Sequence, residues 1–411
     1  MSEDAFRNPN GPESGTSPFE AVGRPRRNRQ ARVETLREMG FGWADLEKEP
    51  YWIDQTIVMD RSVYTELEAA SCALWGVFDK AARFATGKHD LYAMIGIPEV
   101  LWASLDLLPL PDEGKISRYA RFDWAVSDRG DIKLLELNAD TPTGYAEAAV
   151  ATPWMCGQHG IHSPNERMAS LVREAWDVWQ PDSAACVGYG SHLEDSGTID
   201  MLVRHGGGTT PAYDCLDLRV DHGVLKNKEG AELRRLFALY PKEWMSVDDG
   251  GDALAYALET GRLTLFNSPH AILLQSKGLQ ALIWGLYELH LLFLPEEREA
   301  IGRYMLPTYN KAVFDGDFVS KSMFGREGGS VSPFDSEGRP ELKDQGGFDT
   351  GRLFPTVYQK RAELARIRLA SGEFHLLTGM FVLNGTPCGL LGRAGGPITG
   401  HAGHFVAMGV R

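Results

Sequence analysis

The sequence predicts an α+β fold with a mixed or antiparallel sheet component, on three observations. One long segment has helical apolar spacing, a β-loop-α pattern stands mid-chain, and the last third alternates β-prone runs with Gly- and Asp-rich turns. The helix is residues 61–86, where Val63, Leu67, Ala70, Leu74, Val77, Phe78 and Ala81 recur at the spacing of one buried face. Residues 119–126 and 131–137 are β-prone and flank Ser127-Asp128-Arg129-Gly130, a hairpin signal. Residues 165–179 read as helix, 184–189 as a buried strand, and 198–205 as a helix ending at Gly206-Gly207-Gly208. A strand is expected at 215–220 and helices near 231–239, 252–260 and 278–293. Strands at 314–321, 330–334, 354–359, 374–383 and 387–391 complete the pattern.

The chain has 411 residues, 42 Lys+Arg against 56 Asp+Glu, and a net charge of −14. That length predicts two or three lobes around a cleft. The acidic balance disfavours nucleic acid and anionic membrane as partners and tolerates a cationic small molecule such as a polyamine. The longest apolar stretches, such as Leu279 to Leu294, are broken, there by Gly285, Glu288 and His290, and no run reaches the roughly 18 apolar residues of a membrane helix. Residues 1–30, rich in Gly, Pro, Ser, Asn and Arg without an apolar signal core, read as a disordered tail, and a cytoplasmic location is expected. Five scattered cysteines without a CxxC pair suggest neither a disulfide framework nor a zinc site.

Two clusters carry chemistry. Asp123 and Glu136 on a closely paired hairpin have a parity that lets both face one side, and Asn138 shares the face of Glu136. Two carboxylates and an amide suit a hard divalent cation such as Mg²⁺, although turn and edge-strand residues in this pattern are also ordinary solvated polar groups. The second cluster, Lys321 with Gly325, Arg326, Glu327, Gly328 and Gly329, lies between two expected strands. Its backbone N–H groups could cradle phosphate with Lys321 as a point charge, or it is a plain Gly-rich hairpin; it lacks the Walker spacing.

The string RFDWAVSDRGDIKLLELNADTPTGYAEAA resembles the synthetase domain of the glutathionylspermidine synthase family, with its R-F-D-F strand, L-E-Y-N-A-D and E-A motifs. Tyr51-Trp52, Ile95 to Pro98, Glu194-Asp195, Leu239 to Trp244, Lys277 to Trp284, Lys321 with Gly325 to Gly328, Val357 to Gln359, and Gly389 to Arg393 with Ile398-Thr399 resemble further family motifs in the same order. The resemblance covers about residues 30 to 405 and implies an ATP-grasp-like synthetase spanning 31–411. Its ATP-grasp lobes would lie mainly in 262–411 plus the 119–145 hairpin, after an N-terminal substrate-binding (pre-ATP-grasp) region. No fused amidase domain is expected.

By the same resemblance the cofactors are ATP and Mg²⁺, with Asp123, Glu136 and Asn138 on the metal. Lys277, Lys321, Gly325, Arg326, Glu327, Gly328, Gly329 and Gln359 would meet ATP, and Arg121 and Arg393 would stabilise the transferring phosphoryl group and tetrahedral intermediate. Thr141, Thr143, Glu147, Glu194 and Asp195 would bind substrate. The implied activity is a carboxylate–amine ligase working through an acyl phosphate. Departures at Ala120, Ala238, Lys242, Ser322 and residues 268–272 leave two other readings open: a ligase for another acid and amine, or a noncatalytic nucleotide or metabolite binder.

Overall fold

The computed structural model describes residues 17–46, 49–179, 184–326, 328–341, 353–400 and 402–411. Its centre is an eight-stranded sheet in the order Phe19–Val22, Trp52–Met59, His404–Val410, Thr386–Gly395, Gly372–Leu383, Tyr119–Val126, Ile132–Asn138, with Arg366–Leu369 paired to Gly372–Leu383. All pairs are antiparallel except Trp52–Met59 with His404–Val410. The predicted hairpin forms, and its alternation sorts the two faces of the sheet. Ala120, Phe122, Trp124 and Val126 enter the core beneath the 25-residue helix Arg61–Ala85, where Trp75 and Phe78 meet Phe122 edge-on. Tyr119 joins a second core on the opposite face with Tyr145, Phe237 and Phe381. Arg121 and Asp123 therefore emerge on the side away from the long helix.

Two smaller sheets frame that side. One is parallel, ordered Thr264–Leu265, Arg235–Ala238, Ala184–Gly188, Ala212–Asp214, with helix Leu193–His205 connecting its last two strands. The other is antiparallel, ordered Thr308–Tyr309, Thr356–Lys360, Phe318–Ser322, Ser332–Phe334. α+β with mixed and antiparallel sheets is the observed class.

Several expectations are corrected. Part of the segment read as a disordered tail is ordered: Phe19–Val22 is an edge strand and Arg29 opens a helix running to Met39. Edge pairing rests on backbone hydrogen bonds that composition does not reveal; residues 1–16 lie outside the described residues. The helix expected near 231–239 is instead the strand Arg235–Ala238, whose Leu236 and Phe237 are buried on opposite faces. Residues 215–220 form a 3-10 turn, Cys215–Asp217, and then begin the short strand Arg219–Asp221. The helix from Lys277 stops at Glu288, where His290 and Leu292 adopt positive φ of 58° and 66° and turn the chain. Among the described residues no helix is long and apolar enough to cross a membrane.

Candidate active site

The sheet register sets the site. Antiparallel partners share a face, so the pairs Arg121 with Asn138 and Asp123 with Glu136 bring four predicted residues to one side of the hairpin. Gly379 stands opposite Asp123, and Leu377 aligns Ala125 with Arg393. Arg393 therefore shares this face two strands away, about 10 Å across the sheet. Gly379 leaves the room this needs: a Cβ there would lie 3.0 Å from Arg121 Cδ and 3.1 Å from Leu391 Cβ.

Arg121 donates from Nε and Nη2 to the two oxygens of Asp123, at 2.6 and 3.0 Å, and from Nη1 to the Thr143 carbonyl at 2.6 Å. Asn138 Nδ2 donates to Asp123 Oδ2 at 3.0 Å and to Glu136 Oε1 at 3.2 Å, so both carboxylates meet one amide. The other Glu136 oxygen lies 3.0 Å from Lys277 Nζ, which also donates to the Gly325 carbonyl at 2.8 Å. Burial alone would raise the Glu136 pKa, but the charges of Lys277 and then Lys321 hold it down at about 2. Lys321 donates to Gln359 Oε1 at 2.7 Å, and its burial, only partly opposed by Glu136, lowers its pKa to about 8. A cleft of about 110 Å³ opens here, lined among others by Asp123, Glu136, Lys321, Gly328, Gln359 and Thr399. A larger hollow of about 840 Å³ shares Lys360, Arg361 and Ala362 with this cleft but includes none of the predicted site residues.

The Gly-rich loop is tied down from a distance. Arg326 donates from Nε and Nη2 to Glu243 Oε1, at 3.2 and 2.7 Å, and from Nη1 to Thr141 Oγ1 at 2.6 Å. Beside it the buried Lys242 ammonium pairs with Asp140, whose second oxygen accepts from the Lys242 backbone N–H at 3.0 Å. The parallel sheet, the end of the hairpin and the Gly-rich loop thus meet in one polar seam.

Toward the other end of this face stands Glu147, only 1% exposed. Its Oε1 accepts from Trp43 Nε1 at 2.8 Å and from the Tyr51 hydroxyl at 3.1 Å. Its Oε2 is buried without a partner among the described residues, as is Arg393 Nε. Burial raises the Glu147 pKa, while its hydrogen bonds and the Arg393 charge resist the rise.

With that geometry in place, the comparisons decide the family. The profile of the glutathionylspermidine synthase preATP-grasp family matches residues 24–411. The chain belongs to this family. It is also similar to the "Putative acid--amine ligase" of Haemophilus influenzae, 25% identical over 306 residues that make up 70% of this chain and 73% of that protein. Among solved structures it resembles the "Putative gamma-glutamylcysteine synthetase" of Methylobacillus flagellatus KT, with a TM-score of 0.44 and 9% identity, over 84% of this chain and 88% of that one.

Against the motifs of the glutathionylspermidine synthase family, Arg121, Asp123, Glu136, Asn138, Lys277, Lys321, Gly325, Gly328 and Gln359 come together as one group around the cleft. Glu327 lies outside the described residues. The Thr141 hydroxyl is engaged by Arg326, whereas Arg121 holds Thr143 only through its backbone carbonyl. The acidic pair divides: the charge of Glu194 reaches the Tyr51 phenol, whereas Asp195 lies 3.7 Å from His192 Nδ1. The departing segment 268–272 is packed framework, with Ser268 Oγ donating to the Ile116 carbonyl at 2.9 Å and His270 fully buried.

Sequence reasoning missed Gln275, which accepts the backbone N–H groups of Ala139 and Asp140 at 2.8 and 3.0 Å and so fixes the end of the hairpin. It also missed Gln280, which accepts from Gln359 at 3.0 Å, and Glu243. The spacing Gln275-x-Lys277-x-x-Gln280, with a helix starting at Lys277, was the available signal.

Proposed function

We propose that the protein is an ATP- and Mg²⁺-dependent carboxylate–amine ligase that forms an amide through an acyl phosphate. The observation that carries this reading is the convergence of Arg121, Asp123, Glu136 and Asn138 on one sheet face, beside two lysines and a Gly-rich loop. Membership of the glutathionylspermidine synthase family and likeness to an acid–amine ligase support it.

The residues fit Mg²⁺. Two carboxylates and an amide are hard donors, and half a turn of the Asn138 amide would present its oxygen in place of the nitrogen that now faces both carboxylates. Asp123, Glu136 and Asn138 would hold the ion, which when bound neutralises phosphate charge. Lys277 and Lys321 would exchange their present partners for phosphate oxygens, and the loop backbone at 325–329 would cover them. Arg121, already anchored on both Asp123 oxygens, is oriented in advance of substrate.

A carboxylate is a poor acyl donor because oxide is a bad leaving group. Phosphorylation converts that oxygen to a good one, and a neutral amine can then displace phosphate. Arg393, on the same face with an unpartnered Nε, suits the oxyanion formed as the carbonyl is attacked. The acidic balance and Glu194 fit an amine that is cationic in solution, such as a polyamine. The pair can be glutathione and spermidine or another acid and amine. The test is to supply a carboxylate labelled with heavy oxygen, an amine and ATP. One labelled oxygen in the released phosphate is expected, and its absence alongside amide product contradicts the acyl phosphate.

A further inference from the structure

Glu147 is a buried carboxylate that is only half satisfied. Trp43 and Tyr51 fix one oxygen, and the other has no partner among the described residues. An unpaired buried oxygen of this kind is costly, so the fold carries a penalty that a ligand could relieve. Opposite in charge and on the same side is Arg393, whose Nε is equally unpaired. The two influence each other electrostatically, yet neither Glu147 Oε2 nor Arg393 Nε has a hydrogen-bond partner among the described residues. A carboxylate and a guanidinium on the same side, each with an unmet hydrogen bond, suit a group negative at one end and donating a proton at the other. The tetrahedral species of amide formation is such a group.

We infer that Glu147 is the proton acceptor for the attacking amine, its free Oε2 taking the proton from nitrogen while Arg393 meets the oxyanion. This rests on the ligase reading above. The neutral amine's lone pair forms the C–N bond, and the carbonyl π electrons move to oxygen. The nitrogen, now cationic and acidic, passes one proton to Glu147. The oxyanion then collapses, the C–O bond to phosphate breaks, and inorganic phosphate leaves with that electron pair. Glu147 returns its proton to solvent, so no oxidant or further reactant is needed. The charged and titratable groups around Glu147 are Tyr51, Tyr119 and Arg393, with Glu194 beyond Tyr51. Only Arg393 is a cation, and burial keeps both phenols neutral. Glu147 opens a short π-helical segment, Glu147–Ala151, a departure from regular helix often found at functional sites.

The test uses the full chain with Glu147→Gln, which retains the Oε1 acceptor for Trp43 and Tyr51. Glutathione, glutamate and citrate are offered as acids, each with spermidine, putrescine or ammonium. Hydroxylamine, which attacks acyl phosphates unaided, replaces the amine in a parallel assay. Amide formation should fall by about 10²-fold or more, hydroxamate formation should persist, and the acid limb of the kcat/KM pH profile should vanish. In Tyr51→Phe the limb should move to higher pH, because the lost hydrogen bond favoured the ionised carboxylate. Undiminished amide formation, or equal loss of amide and hydroxamate with an unchanged pH profile, overturns the assignment. A wild-type protein inactive with every pair overturns the ligase reading and this inference with it, whereas an active wild type with an equally active Glu147→Gln overturns the inference alone.

Discussion

The two ends of the candidate site handle buried charge in opposite ways. Where the hairpin's end meets the Gly-rich loop, four described carboxylates already have a cation: Asp123 has Arg121, Glu136 has Lys277, Asp140 has Lys242 and Glu243 has Arg326. At Glu147 and Arg393 a carboxylate oxygen and a guanidinium nitrogen stay unpaired. The first arrangement can take phosphates and a metal by exchanging partners, so its charges are organised before the ligand arrives. The second leaves electrostatic demand unmet until the reacting groups enter. Binding strength should therefore depend on the first region and proton transfer on the second.

The largest break of this comparison is Asp123→Asn, which removes one carboxylate of the trio and frees Arg121 from its bidentate anchor. ADP release should fall by about 10²–10³-fold with an unchanged circular dichroism spectrum. Next is Lys242→Ala, which strands Asp140 at 0% side-chain exposure. Urea unfolding should show a loss of about 3–5 kcal/mol, and adding Asp140→Asn should recover part of it.

Lys277→Met removes the cation nearest Glu136, and a loss of about tenfold in ATP affinity is expected by calorimetry. Lys321 gives the pH dependence. Its folded pKa of about 8 lies below the ordinary lysine value, so the unfolded chain binds more protons in between. This contribution to stability rises as pH increases through that window. Phosphate binding favours the charged form, so ATP affinity should fall as pH rises above about 8, and constant affinity from pH 7 to 9 would remove Lys321 from the phosphate site. The smallest effect is Arg326→Lys, which cannot keep both the Glu243 and the Thr141 contacts and should raise the KM for ATP by about threefold.

The hairpin was legible because alternation and the Asp-Arg-Gly loop are local, and register then follows from the turn. The face shared by Asp123, Glu136 and Asn138 needed only parity and short range. The parallel lobe was less legible: a buried four-residue strand such as Arg235–Ala238 has no alternation to separate it from a helix fragment. Strands Trp52–Met59 and His404–Val410, buried almost throughout, were not assigned for the same reason. Asp140 with Lys242 and Arg326 with Glu243 are 102 and 83 residues apart in sequence, and such pairings emerge only when the sheets pack. The unpaired oxygen of Glu147 is likewise a property of its surroundings rather than of any motif.

The most direct test is Mg²⁺-dependent ADP release by the purified protein, with glutathione and spermidine together, with each alone, and then with a panel of peptides and amines, using Asp123→Asn as the background. Release that requires an acid and an amine together, and falls by about 10²–10³-fold in Asp123→Asn, is the predicted result. No release with any pair, or equal release from Asp123→Asn, would contradict the account.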